Sequence, residues 1–100
     1  MDKLQAILEL RSMLQEMEQD LGLHDLSAAE RDIFLAARGL TKNPGDVIRS
    51  DEIRSHKLIQ SIAQATYHRS LRALVDKGLL RRAEGSKAKS YVLCSEKIEE

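Results

Sequence analysis

ATYHRSLRALVDKGLLRR, residues 65–82, is the stretch on which the reading of this chain turns. At about 100° per residue, Ala63, Tyr67, Leu71, Leu74, Val75 and Gly78 fall within one inward arc of an α-helix. Ala65, Thr66, Arg69, Ala73 and Asp76 point the opposite way, with His68 and Arg72 on the flank. One face is therefore core, and the other is free and carries cations. Tyr67, an aromatic at core spacing, belongs to the packed face. Gly78 turns the chain out of the helix, and LLRRAEG and SYVLC read as two strands around the polar tip GSKAK. Alternation is better in the second strand. In the first it sets one of Arg81 and Arg82 outward and the other against the sheet edge, without saying which.

Working outward, Ser50 has the chemistry of a helix N-cap, followed by Asp51 and Glu52 where the helix dipole favours acids. Ser61 with Gln64 has the spacing of a capping box, so the spacing predicts two helices with a break near Lys57 to Gln60. Further upstream, Ser27 and Glu30 form another capping box ahead of a stripe of Ile33, Phe34, Ala37 and Leu40, with Gly39 positioned to end that helix. TKNPGD is a turn by composition, and Val47 and Ile48 make a very short strand after it. The first segment carries Ile7, Leu10, Leu14, Met17 and Leu21 at alternating spacings of three and four, one stripe on a helix that Gly22 ends. Leu4, Leu8 and Met13 widen that stripe, so much of the face is expected to pack on the rest of the protein. Two readings stay open for it, a helix packed on its own domain and one that also pairs with a second copy. Chain size tilts the balance to pairing, because so small a domain hides a long apolar helix more easily in a dimer.

With 100 residues, 42% hydrophobic and 32% charged, the chain has the composition of one soluble globular domain. The longest apolar run, Ile33 to Ala37, is far short of a membrane span, and Met1 to Leu21 carries acids where a secretory signal is apolar, so a cytoplasmic protein is expected. The single cysteine, Cys94, forms no internal disulfide, and the histidines at 24, 56 and 68 lack metal-ligand spacing. No cofactor or metal is implied. Net charge is zero, but it is unevenly spread. Residues 1–48 hold five Lys/Arg against nine Asp/Glu, whereas residues 49–90 hold ten against four. Such asymmetry points to polyanion binding by one part of a chain, although a solvated basic face is a common alternative.

Ser50-Asp-Glu-Ile, Thr66-Tyr-His-Arg69, Leu74, Lys77-Gly-Leu-Leu-Arg-Arg82, Gly85 and Tyr91-Val-Leu, taken in order, resemble the winged helix-turn-helix of the MarR family of transcriptional regulators. The resemblance covers about residues 26–94. It implies a mainly α fold with a small β-hairpin wing (α+β), preceded by an N-terminal amphipathic helix over 1–22 and followed by a short tail over 95–100. It implies a recognition helix at about 61–77 and a wing at about 82–91. It sets Gln64, Ala65, Thr66, His68 and Arg69 near double-stranded DNA. Arg72, Arg54 and Lys57 suit phosphates, as do Lys87 and Lys89 at the wing tip beside Ser86. Each has a plainer alternative: a salt bridge from Arg69 to Asp51 or Glu52, an ordinary surface histidine at 68, and lysines that only keep the tip soluble. The stretch between Glu52 and Thr66 runs two residues longer than is typical of the family, and the wing lacks its Asp-x-Arg. The family's C-terminal dimerisation helices have no counterpart, which leaves a homodimer to Ile7, Leu10, Leu14, Met17 and Leu21 and gives no support to a small-molecule effector.

No nucleophile motif or phosphate loop is present, so catalysis is not expected. The functional expectation is a sequence-specific DNA-binding regulator, repressor-like and homodimeric. The alternative is a winged-helix adaptor that binds another protein without specific DNA binding.

Overall fold

The computed structural model describes residues 2–85 and 89–94, the His24 side chain excepted. It is mainly helical with a small antiparallel sheet: α1 (Lys3–Asp20), a 3-10 turn (Leu23–Asp25), α2 (Ala28–Leu40), β1 (Val47–Arg49), α3 (Ser50–Arg54), α4 (Gln64–Asp76), β2 (Leu80–Arg82) and β3 (Ser90–Leu93). The core gathers Ile33, Phe34 and Ala37 of α2, Ile53, Ile59, the inward face of α4, and Ile48, Leu80 and Tyr91 of the sheet. Among the described residues no helix is long and apolar enough to cross a membrane.

The capping box of α2 forms as its spacing predicts: the Ser27 hydroxyl accepts from Glu30 N–H at 3.1 Å, and the Glu30 carboxylate accepts from Ser27 N–H at 3.3 Å. Gly39 does not end this helix, which runs to Leu40. The Thr41 hydroxyl donates to the Ala37 carbonyl at 2.9 Å, so a carbonyl of the last turn is satisfied without a left-handed glycine. At the end of α4 the expectation holds. Gly78 is left-handed (φ 79), Gly78 N–H donates to Val75 O and Leu79 N–H donates to Leu74 O, the paired bonds of a Schellman motif.

Both expected caps between β1 and α4 shift. Ser50 is the first helical residue, not the cap, because β1 pairs with β3 through Arg49 and Ser50 N–H donates to Lys89 O, so the helix leaves the strand directly. Glu52 caps the Arg49 N–H instead, at 3.1 Å. The Ser61–Gln64 capping box does not form; α4 begins at Gln64 after Ala63, with no side-chain cap. The break after α3 falls at residues 55–62, as expected, but its register is fixed by burial: Ile59 is fully buried and Ile62 packs against the core.

The sheet order is β1-β3-β2, so β3 is central. That position explains why all four β3 residues are buried, where alternation led to the expectation of one exposed face. Tyr91 and Leu93 join the core cluster and Val92 lies outside it.

The largest departure is α1. None of its residues is buried, and the expectation that much of its apolar face packs on the domain is not met. Leu4 is 75% exposed, and Ile7, Leu10, Leu14 and Met17 are each more than half exposed; only Leu21, just past the helix, packs against the core. The chain is accordingly elongated, 52 Å by 29 Å by 23 Å.

Candidate nucleic-acid interface

The buried stripe of α4 consists of Tyr67, Ser70, Leu71 and Leu74, with Val75 half-buried beside it. Ala63 stays exposed at the helix start. Tyr67 is held by more than packing. Its hydroxyl donates to the Ser50 carbonyl at 2.8 Å and lies 3.0 Å from the Ser50 hydroxyl, clamping α4 to the start of α3. Burial pushes this phenol above its ordinary pKa. At the other end the Lys77 ammonium meets Glu30 at 2.6 Å and ties α4 to the start of α2. That contact holds the Glu30 carboxyl below the usual carboxylate range. The helix is therefore fixed at both ends, and its outer face is presented rigidly.

That outer face carries Gln64, Ala65, His68, Arg69 and Arg72, all exposed, with Thr66 half-exposed. Two clefts flank it. The first, about 180 Å³, lies between α4 and the β2–β3 pair; Leu71, Val75 and Tyr91 form its apolar floor, and His68, Arg72, Arg82 and Lys89 form its rim. No acid lines it. It continues past His68 and Lys89 into a shallow hollow of about 400 Å³ reaching Gln64 and Arg54. Asp51 lines that hollow, but its carboxylate is drawn to Arg49 at 3.4 Å. On the other side of α4, Thr66, Arg69 and Arg72 share a cleft with Glu30 and Asp76, so charge there is mixed.

The expected site residues thus divide. Gln64, His68, Arg72 and Lys89 come together along one groove, while Thr66 and Arg69 lie across the helix from it. Arg69 forms no ion pair among the described residues: its guanidinium donates to the Thr66 hydroxyl at 3.4 Å, and Asp51 and Glu52 are instead partnered by Arg49. Arg54 is committed internally, donating to the Ile59 carbonyl at 3.0 Å and standing 5.0 Å from the centre of the Tyr67 ring. Lys57 is exposed in the 55–62 turn and lines neither cleft. Lys87 lies outside the described residues. Ala65 is exposed on the first turn of α4.

Arg82 is the residue that strand alternation left undecided. Pairing decides it: Arg82 is opposite Tyr91 and Arg81 opposite Val92, so Arg82 shares the face turned to α4 and Arg81 the other. Neither Arg72, Arg82 nor Lys89 takes part in an ion pair among the described residues. Cations without ion pairs around an apolar floor give this cleft a positive rim that an anion could meet. Comparison with protein-family models, with curated proteins and with solved structures finds no match to this chain.

Proposed function

We propose that this chain is a sequence-specific double-stranded DNA-binding regulator of transcription, a repressor acting as a homodimer, built as a winged helix-turn-helix of the kind the MarR family uses. In this reading α3, the 55–62 turn and α4 are the helix-turn-helix, α4 enters the major groove, and the β2–β3 pair is the wing. The observation that carries the proposal is the cleft of His68, Arg72, Arg82 and Lys89 between α4 and the hairpin, which no acid among the described residues lines. A helix fits the B-DNA major groove, and cations along its flank meet the phosphates that border that groove. Arg72, Arg82 and Lys89 then supply affinity regardless of sequence, whereas Gln64, Ala65, Thr66 and Arg69 on the outer face meet base edges. A bidentate contact from Arg69 to guanine is worth about 1–3 kcal/mol of discrimination.

Selection of binding sites from random duplex DNA with the purified protein tests this directly. The expected result is an enriched motif bound with an affinity that falls steeply as salt rises. Recovery of no motif, together with a stoichiometric protein partner captured without DNA, would establish the adaptor alternative in its place.

A further inference from the structure

We infer that α1 pairs antiparallel with α1 of a second copy, and that the first two turns of each helix close a leucine-walled groove with a polar rim on the other protomer. The inference rests on the homodimer of the proposed function and adds its geometry.

The unpartnered surface has two parts. One is the stripe of Ile7, Leu10, Leu14 and Met17. The other is a groove of about 730 Å³ beside the second half of α1, with Leu14, Leu23, Leu26, Leu35 and Leu58 among its walls. Leu35 and Leu58 remain 42% and 47% exposed there. A stable pair needs about 800 Å² from each partner, and the stripe alone, one narrow seam on an 18-residue helix, is the smaller part of the exposed apolar surface. Leu4 and Leu8 lie off the stripe yet are among the most exposed apolar residues, so the occupant must account for them as well.

Helical spacing sets Leu4 and Leu8 in one row with Arg11, Gln15 and Glu18, and these last three line the groove. When two helices pair antiparallel, like flanks lie on the same side of the pair; when they pair parallel, like flanks lie on opposite sides. With the stripes in register about Ser12, Ile7 faces Met17 of the partner and Leu10 faces Leu14. Leu8 and Leu4 of the partner then stand level with Glu16 and Asp20, on the groove side, beside Leu35 and Leu58. A parallel pair leaves both leucines in water, far from the groove.

Charge selects the same orientation. Lys3 lies on the stripe itself, so a parallel pair sets Lys3 against its own copy. An antiparallel pair brings Lys3 to the last turn of the partner helix, where the dipole is negative and α1 has no basic residue of its own.

Disulfide trapping tests the orientation without DNA. In a Cys94→Ser background, Ile7→Cys and Met17→Cys are made as two proteins of different size, both at exposed positions where folding is not at stake. In the antiparallel register like positions are ten residues apart along the axis, about 15 Å, beyond the reach of a disulfide. The expected result is a mixed disulfide between the two proteins and little cross-linking of either alone. Cross-linking of each variant with itself overturns the inference in favour of a parallel pair, and a monomer in sedimentation at micromolar concentration overturns it altogether. DNA binding measured on the uncross-linked protein separates the two proposals, since either result above leaves the selection of a DNA motif to stand or fall on its own.

Discussion

Replacing Arg82 by alanine removes one cation from the rim of the α4–hairpin cleft and nothing from the core, because the side chain is exposed and forms no ion pair among the described residues. If it neutralises one phosphate, a homodimer loses two contacts, and the slope of log K against log salt becomes shallower by about 1.8 at about 0.9 per contact. Between 50 and 200 mM salt the wild-type protein should therefore lose about tenfold more affinity than Arg82→Ala. Arg81→Ala is the matched control: same strand, same charge, opposite sheet face. The assay is fluorescence anisotropy on a selected duplex across five salt concentrations, with circular dichroism to verify that both variants fold. Equal slopes for the wild-type protein and Arg82→Ala, or equal changes for Arg81→Ala and Arg82→Ala, would refute the assignment of the cleft to the phosphate backbone.

Three further outcomes follow from contacts that hold α4 in place. Tyr67→Phe leaves the Ser50 carbonyl without its 2.8 Å donor and should cost about 1–2 kcal/mol in urea unfolding; an unchanged midpoint would mean that the hydroxyl is not the clamp. Ile59→Ala empties a fully buried site in the 55–62 turn and should cost about 2–5 kcal/mol, and a loss under 1 kcal/mol would show that this turn is not pinned by Ile59. Glu30→Gln keeps an acceptor for Ser27 N–H but loses the charge facing Lys77, which is 40% exposed, so about 0.5–1 kcal/mol is expected at neutral pH. Since the carboxyl of folded Glu30 lies below its usual 4.5, its ionised form stabilises the fold above that pH, and the contribution is lost as pH falls through the folded value. The wild-type and Glu30→Gln melting temperatures should accordingly converge as the carboxyl protonates in acid, and a gap that persists once it is protonated would assign the effect to packing.

Much of the fold is legible in the sequence because its signals are local. The Ser27 box, the Gly78 stop and the inward arc of α4 depend on neighbours within one or two turns, and all three form. The misplaced caps at Ser50 and Ser61 share a cause that is not local: β1 pairs across the sheet with β3, and the core takes up Ile59 and Ile62. Propensity reads the serines correctly as residues that satisfy free amides but is blind to the tertiary contacts that move the helix starts. The same holds at the cleft. Gln64, His68, Arg72 and Lys89 were named through the resemblance to a winged helix, yet Arg82 was separable from Arg81 only by the register of β2 on β3, a partner nine residues or more away in sequence. For α1 the periodicity was plain and the partner was not, since a stripe records that a face is buried and not what buries it.

The zero net charge of the chain does not weigh against binding a polyanion, because the cations of the rim and the acids of α1 lie on different elements. Beside the cleft, Asp51 is drawn to Arg49 and Glu52 lies within 3.5 Å of the same guanidinium; across α4, Glu30 is matched by Lys77. On the rim, Arg72, Arg82 and Lys89 take part in no ion pair among the described residues. Meanwhile Glu16, Glu18 and Asp20 stand on α1, which touches the turn before α2 and, through Glu18 and Arg31, α2 itself. If the cleft meets DNA as proposed, the acids of α1 would be repelled while the rim cations are drawn in, so the separation would orient the protein as well as attract it. Moving acids into the cleft, with Arg72→Glu for instance, leaves α1 as it is but removes that separation, and association should slow most at low salt, where screening is weakest. An association rate that falls equally at low and high salt would mean that the approach is not steered by this face.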